Sequence, residues 1–297
     1  VASRGLGDVY KRQDIKRIES MKVKMYILTF NSEYQINDNL NSLFQSKLDD
    51  NLEINIISNH SNLAISSENK ERLNSFGNHN ILYNTMQCDW SWGYTTRNWN
   101  QSLILGFKTL VNPDCDLVIC AQDDTNYDTN WLQTLKQRHS EGLEFIACGL
   151  GDCFCSYTPN AVKAIGLWDE RFCTLNFSEF DYFLRAASWL GDKAAIDDAG
   201  GSHGEMCRFN GEKTQGIAWK STEDPEKNVL REIRQTLGNT LGDELFKYKW
   251  GAPPGHKSTW AKNNVGNCRV PLTPVFINYP YFEKDIPDIR QKGYMFL

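Results

Sequence analysis

The sequence predicts an α/β protein with a mainly parallel central sheet flanked by helices. Three observations predict it. Short β-rich apolar runs alternate with segments of helical period, the alternation continues from Lys22 onward, and the early runs end in small polar clusters. Strand–helix–strand units of this kind join parallel strands through crossover helices, and such sheets bind ligands beyond the carboxyl ends of their strands.

Val23 to Phe30 is apolar and β-rich and stops at Asn31-Ser32, a turn and helix-cap pair. Ile36, Leu40, Leu43, Phe44 and Leu48 then recur at helical spacing. Ile54 to Ile57 makes a second strand, ending in Ser58-Asn59-His60-Ser61-Asn62, and Asn80 to Tyr83 a third after a polar stretch. Trp99, Leu103, Ile104, Phe107 and Leu110 mark one face of a helix opening near Arg97. Leu117 to Ala121 is a buried strand that runs into Gln122-Asp123-Asp124-Thr125. A helix through Trp131, Leu132 and Leu135 follows, then strands at Phe145 to Cys148 and Cys153 to Thr158. Pro159 suits the first turn of a helix reaching about Ile165, and Ser178 to Leu190 reads as another. After Gly204 the character shifts: Pro225 to Leu237 and Leu241 to Lys249 look helical, and the rest is rich in Pro, Gly, Asn and Tyr.

Composition narrows the partners. At 40% hydrophobic and 23% charged residues, the 297-residue chain buries a proper core. A net charge of -5 supplies no basic field, so no nucleic-acid partner is expected. No apolar run reaches the roughly 18 residues of a membrane span, so no transmembrane segment is expected. With no secretory signal and nine cysteines, an odd number, a cytoplasmic protein with free thiols is expected, peripheral membrane association remaining open. Cys148, Cys153 and Cys155 lack the paired spacing of a zinc ribbon. Residues 1–20 are basic and without period, and are expected to be a non-native or disordered leader before a natural start at Met21. Residues 21–204 then form the core, and 205–297 a C-terminal helical or irregular extension on the acceptor side.

The polar clusters at Thr29–Asn31, Ser58–Ser61 and Gln122–Thr125 all follow strands, so one edge of the sheet gathers them. Asp123 and Asp124 are adjacent carboxylates that repel unless a cation, a donor or solvent satisfies them. A hard divalent ion completed by substrate phosphates does so; a solvated, helix-capping turn is the alternative. Glu179 and Asp181 open a helix, where the macrodipole favours acids, although a general base for an acceptor hydroxyl fits the same place. His203 lies in the small-residue loop Gly200-Gly201-Ser202-His203-Gly204, either on the surface or against a metal or phosphate.

The order and spacing of these signals resemble the family 2-like glycosyltransferases of the GT-A fold. The stretches that carry the resemblance are KVKMYILTFN, EINIISNHSN, WGYTTRNWNQSL, DLVICAQDDTNYDTNWL and IGLWDERFCTLNFSEFDYFLRA, between about Lys22 and His203. Its most specific part runs from Gly166 to Arg185. Arg97-Asn98 matches the family's Arg-Asn pair, Gln122-Asp123-Asp124 its Asp-x-Asp motif, and Ile165 to Phe172 its Ile-Gly-x-x-Asp-Glu-x-Phe segment. Two positions depart from the pattern: Gln122 replaces the motif's first acid, and Ser178-Glu179 replaces a Glu-Asp pair.

The resemblance implies a GT-A type nucleotide-diphospho-sugar transferase fold and a nucleotide-sugar donor bridged by Mn2+ or Mg2+. It implies a glycan, lipid-linked or protein acceptor. Thr29 and Asn31 would lie near the base, Asn59 and Ser61 near the ribose, and Arg97, Asn98 and Gln122 elsewhere on the donor. Asp124 would contact the metal most directly, Asp123 the ribose or sugar, and His203 would add a metal ligand. Glu179 takes the catalytic-base position with Asp181 supporting it, which makes the transfer inverting. Tyr248 to Gly255 resembles a Lys-Trp-Gly-Gly stretch of such enzymes, placing Trp250, with Trp168, on the acceptor side. A nucleotidyltransferase would share the sheet and metal but carries a Gly-rich basic loop after the first strand, which Thr29 to Glu33 is not. A non-catalytic glycan- or nucleotide-binding relative would tolerate the altered motif.

Overall fold

The computed structural model describes residues 18–30, 33–59, 61, 63–84, 94–148, 153–172, 175–196, 207–209, 236, 240–247, 275–276 and 295–296. Strand β1 (Val23–Thr29) leads into helix α1 (Glu33–Gln45), β2 (Leu52–Ser58), α2 (Ser67–Phe76) and β3 (His79–Tyr83). Helix α3 (Tyr94–Phe107) precedes β4 (Leu117–Gln122), the short β5 (Thr125–Tyr127) and α4 (Trp131–Ser140). Then come β6 (Phe145–Cys148), β7 (Phe154–Tyr157), α5 (Pro159–Ile165), α6 (Leu175–Leu190) and β8 (Ala194–Ile196). Beyond them lie β9 (Cys207–Phe209), helix α7 over 240–247, β10 (Val275–Phe276) and β11 (Met295–Phe296).

Seven strands form the central sheet in the order β3-β2-β1-β4-β7-β6-β8. β7 pairs antiparallel with both β4 and β6, and the other pairings are parallel. The fold class expected from the sequence is therefore present: a mainly parallel sheet with helices on both faces. Strand side chains alternate between two cores, as the period of two requires. Met25 and Ile27 join Ile36, Leu40 and Leu43 of α1, Leu73 of α2 and Trp131, Leu132 and Leu135 of α4 on one face. Tyr26 and Leu28 join Trp99, Leu103 and Phe107 of α3 and the inner side chains of α5 and α6 on the other. Helix α3 lies so close to β4 that a Cβ on Gly106 would come within 2.4 Å of Val118 Cγ2, which explains a glycine inside a helix despite its conformational cost.

Two helix starts follow local chemistry. Ser66 caps α2 by accepting from the Asn69 amide at 3.2 Å, and Thr158 caps α5 by accepting from Ala161 at 3.1 Å, with Pro159 in the first turn. Helix α6 begins at Leu175 rather than Ser178. Glu179 thus sits in its second turn, past the reach of the terminal dipole, and the first-turn explanation of the two acids does not apply.

The ends of the expected core are also tied in. Ile18 is buried, and the Glu19 carbonyl accepts from Asn51 Nδ2 at 2.7 Å, so the last residues of the expected leader pack on the sheet's amino edge. β9 pairs antiparallel with β5, and Phe246 of α7 is buried beside Phe172, Phe180 and Leu184. The segment after residue 204 therefore returns to the core at two places. The helix expected at Pro225 to Leu237 lies outside the described residues apart from Thr236.

Candidate functional site

Parallel register aligns the strand ends. Thr29 pairs with Ser58, and Leu28 pairs with Gln122, so β1, β2 and β4 finish along one edge. Thr29, buried at the end of β1, donates its hydroxyl to Asp123 Oδ2 at 2.6 Å. The Asp123 amide continues the ladder by donating to the Leu28 carbonyl at 3.0 Å. The turn after β4 is held from behind as well. The Cys153 carbonyl accepts from the Gln122 amide and from the Thr125 hydroxyl, each at 2.8 Å.

Burial and the neighbouring Asp124 carboxylate push the Asp123 carboxyl up to about 8, against the lowering hydrogen bonds from Thr29 and the Phe30 backbone. Two acids in one turn, one of them buried, call for a positive charge or a proton. Asp124 is half-buried. Hard carboxylate oxygens suit Mg2+ or Mn2+. Among the described residues no group of three or more His, Cys, Asp and Glu side chains stands together to hold an ion. An ion held by the Asp pair would need further oxygens from elsewhere.

Asn59 closes the edge beside β2. Its amide donates to the Thr29 carbonyl at 3.1 Å, and its Oδ1 accepts from Asn84 Nδ2 at 3.3 Å. Asn84, directly after β3, also donates to Asn98 Oδ1 at 2.9 Å and to Gln101 Oε1 at 2.8 Å. Two strand ends are thereby bound to the first turns of α3. Ser61 is exposed and Gln122 half-buried. Arg97, its side chain 59% exposed, pairs with Glu170 through Nε at 3.1 Å. Asn100, one turn into α3, donates to the Trp168 carbonyl at 2.9 Å and to Glu170 Oε1 at 3.0 Å, and accepts from the Trp168 amide at 2.8 Å. The structure therefore joins Arg97 and Asn100 to the 165–172 segment, whereas Asn98 is tied to Asn84.

The other half of the expected site divides. Glu179 is half-buried on α6. Asp181 and Arg185 are each 0% exposed and form an ion pair at 2.8 Å one helical turn apart. Arg185 Nη1 donates to the Ile165 and Leu167 carbonyls at 2.8 and 2.9 Å. Asp181 is thus tied through Arg185 to the backbone of the 165–167 segment. Trp168, expected on the acceptor side, is 0% exposed, stacks on Tyr182 with centroids 4.2 Å apart, and donates Nε1–H to Tyr157 Oη at 3.1 Å. Its ring offers no face to an acceptor, because core stacking occupies it. Asn31, His203 and Trp250 lie outside the described residues.

Sequence reasoning passed over Asn84, Asn100 and Gln101. Asn84 carried the same signal as Asn59, a polar residue directly following a strand.

No family model matches the chain, and no curated protein sequence matches it. Several solved structures are similar in fold. Mannosyltransferase PcManGT from Pyrobaculum calidifontis, in complex with GDP-Man and Mn2+, superposes with a TM-score of 0.48 at 12% identity, over 89% of this chain and 78% of its own. TarS from S. aureus gives 0.46 at 10% identity, over 77% of this chain and 44% of its own. Glucosyl-3-phosphoglycerate synthase from Mycobacterium tuberculosis, in complex with Mn2+, UDP and glucosyl-3-phosphoglycerate, gives 0.39 at 11%, over 60% and 69%. Likeness at this level concerns fold alone.

Proposed function

We propose that the chain is a metal-dependent glycosyltransferase that moves a sugar from a nucleotide-diphosphate donor to an acceptor hydroxyl. One observation carries the proposal: the buried Thr29–Asp123 hydrogen bond of 2.6 Å joins the β1 end to an Asp pair at the carboxyl edge of the sheet. Thr29 and Asn31 would border the base, Asn59 and Ser61 the ribose, and Arg97, Asn98 and Gln122 the remaining donor surface. Asp124 would hold Mn2+ or Mg2+ with His203, while Asp123 faces the ribose or sugar. When bound, the metal offsets the negative charge of the leaving diphosphate.

Glu179 takes the proton from the acceptor hydroxyl as its oxygen attacks the anomeric carbon and the bond to the diphosphate breaks. Attack from the face opposite the leaving group inverts the configuration, and a positioned base contributes about 10²–10⁴-fold in rate. Asp181 keeps α6 in place through Arg185. Glycan, lipid-linked and protein acceptors all present the hydroxyl this chemistry needs, with Trp250 on the acceptor side.

The test is turnover of a panel of UDP- and GDP-sugars with Mn2+, followed as release of the nucleoside diphosphate. Wild-type protein should release it, and Glu179→Gln should lower the rate about 10²–10⁴-fold with donor affinity unchanged. Donor binding with no release across a broad acceptor panel would favour a non-catalytic binding protein of the same fold.

A further inference from the structure

Asn39 lies in the middle of α1 and is 0% exposed. Its side-chain amide Nδ2 donates to the Thr125 carbonyl at 2.7 Å, to the Gln122 carbonyl at 3.2 Å and to Tyr127 Oη at 3.1 Å. The two carbonyls are the backbone groups immediately before and immediately after Asp123–Asp124. A single planar amide, fixed in the core, thus grips both ends of the turn that presents the two carboxylates. From the opposite side the Cys153 carbonyl accepts from the Gln122 amide and the Thr125 hydroxyl. The turn is bracketed between an amide donor on α1 and a carbonyl acceptor beside β7.

Asparagine is specific here for a chemical reason. Both backbone groups are acceptors, so the side chain facing them must donate, and a planar NH2 offers two hydrogens to carbonyls on either side. Leucine has similar bulk but would take the amide donor away from both carbonyls, and aspartate would turn acceptors against acceptors. The reversed amide is ruled out by the same logic, because Oδ1 would then meet the Gln122 and Thr125 carbonyls.

We infer that Asn39 is a positioning residue for the divalent cation and diphosphate, acting by clamping the Gln122 and Thr125 carbonyls so that Asp123 and Asp124 are presented together. The inference rests on the proposed donor site. Pre-set geometry matters for a hard cation held by few protein oxygens, since a turn that wanders by an ångström loses one of its ligands. Nucleotide contacts made by other strand ends do not depend on the clamp. Loss of Asn39 should therefore weaken the metal's contribution to nucleotide binding and spare the metal-independent part.

Nucleoside diphosphate affinity of wild type, Asn39→Leu and Tyr127→Phe is measured by calorimetry with Mn2+ and with chelator. Amide hydrogen exchange at residues 122–125 is followed in parallel. Asn39→Leu should lose at least about tenfold of the manganese enhancement, keep its chelator-state affinity within about twofold, and exchange faster at 122–125. Tyr127→Phe removes only the third acceptor and should keep the full enhancement. If Asn39→Leu does not fold, Asn39→Ala, which leaves room for water at both carbonyls, should show the same loss. Faster exchange with an unchanged manganese enhancement overturns the inference alone. A wild-type protein whose nucleotide binding ignores manganese overturns the donor site and the inference with it.

Discussion

Replacing Asp181 by alanine separates a role in chemistry from a role in architecture. Asp181 Oδ2 receives Arg185 Nε at 2.9 Å and forms an ion pair with Nη2 at 2.8 Å, and both side chains are 0% exposed. The guanidinium also lies 4.7 Å from the Tyr182 ring centroid and serves the Ile165 and Leu167 carbonyls. Alanine leaves that cation buried without its counter-charge, and breaking one side of a buried pair costs about 3–5 kcal/mol. That is a large share of the roughly 5–15 kcal/mol by which a domain is stable. With a urea slope near ~2 kcal/mol/M, the unfolding midpoint should fall by about 2 M. Urea titration monitored by circular dichroism reads it directly. Asp181→Asn, which retains an acceptor oxygen, should lose clearly less. At temperatures where Asp181→Ala remains folded, donor turnover should stay within a few fold of wild type. A midpoint shift under about 0.3 M, or a stable variant with turnover down a hundredfold, refutes the architectural role and returns Asp181 to the reacting atoms.

Two further outcomes follow from the core. His139 is buried, with Nδ1–H donating to the Leu143 carbonyl at 2.7 Å and Nε2 2.8 Å from Ser156 Oγ, and burial lowers its pKa to about 4. Between that value and the ordinary 6.5 the unfolded chain binds a proton that the folded chain refuses, so stability is lost as pH falls. The loss reaches about 2 kcal/mol at pH 5, and His139→Gln should flatten the stability difference between pH 7 and pH 5 by that amount in denaturant titrations. Gly106→Ala should lower the thermal midpoint despite alanine's better helix propensity, because its methyl meets Val118 at 2.4 Å. The overpacking costs about 1–3 kcal/mol; a raised midpoint would mean that α3 moves off β4 freely.

Much of this fold was legible because β1, β2 and β4 are short, largely apolar runs buried along most of their length, and their ends carry Thr29, Asn59 and the Asp pair in plain view. Helix α2 was not, since only Asn69 and Leu73 are buried along its ten residues and no apolar period results. Its signal was the Ser66 cap alone. The start of α6 was misplaced because Ser178 looks like a cap, whereas it is a buried residue inside the helix. β5 is three residues long and pairs with β9, a partner 80 positions further on that no local pattern announces. Within the site, strand-end residues could be found from position, but the residues that hold them could not. Asn39 meets Gln122 and Thr125 across 83 and 86 positions, and Asn100 meets Trp168 across 68. An asparagine in a helix reads only as a polar residue until the fold supplies its partners. The same holds for Trp168, expected on the acceptor side although its ring stacks on Tyr182 in the core.

The donor site itself is tested most directly by calorimetric titration of UDP and GDP, with and without Mn2+, into wild-type protein and Asp124→Ala. One of the two nucleotides should bind in a manganese-dependent way, and that dependence should vanish in Asp124→Ala while the variant keeps its wild-type unfolding midpoint. Failure of the folded wild-type protein to bind either nucleotide, or binding that is the same with and without manganese and with and without Asp124, contradicts a metal-bridged nucleotide-sugar site at the carboxyl edge of this sheet.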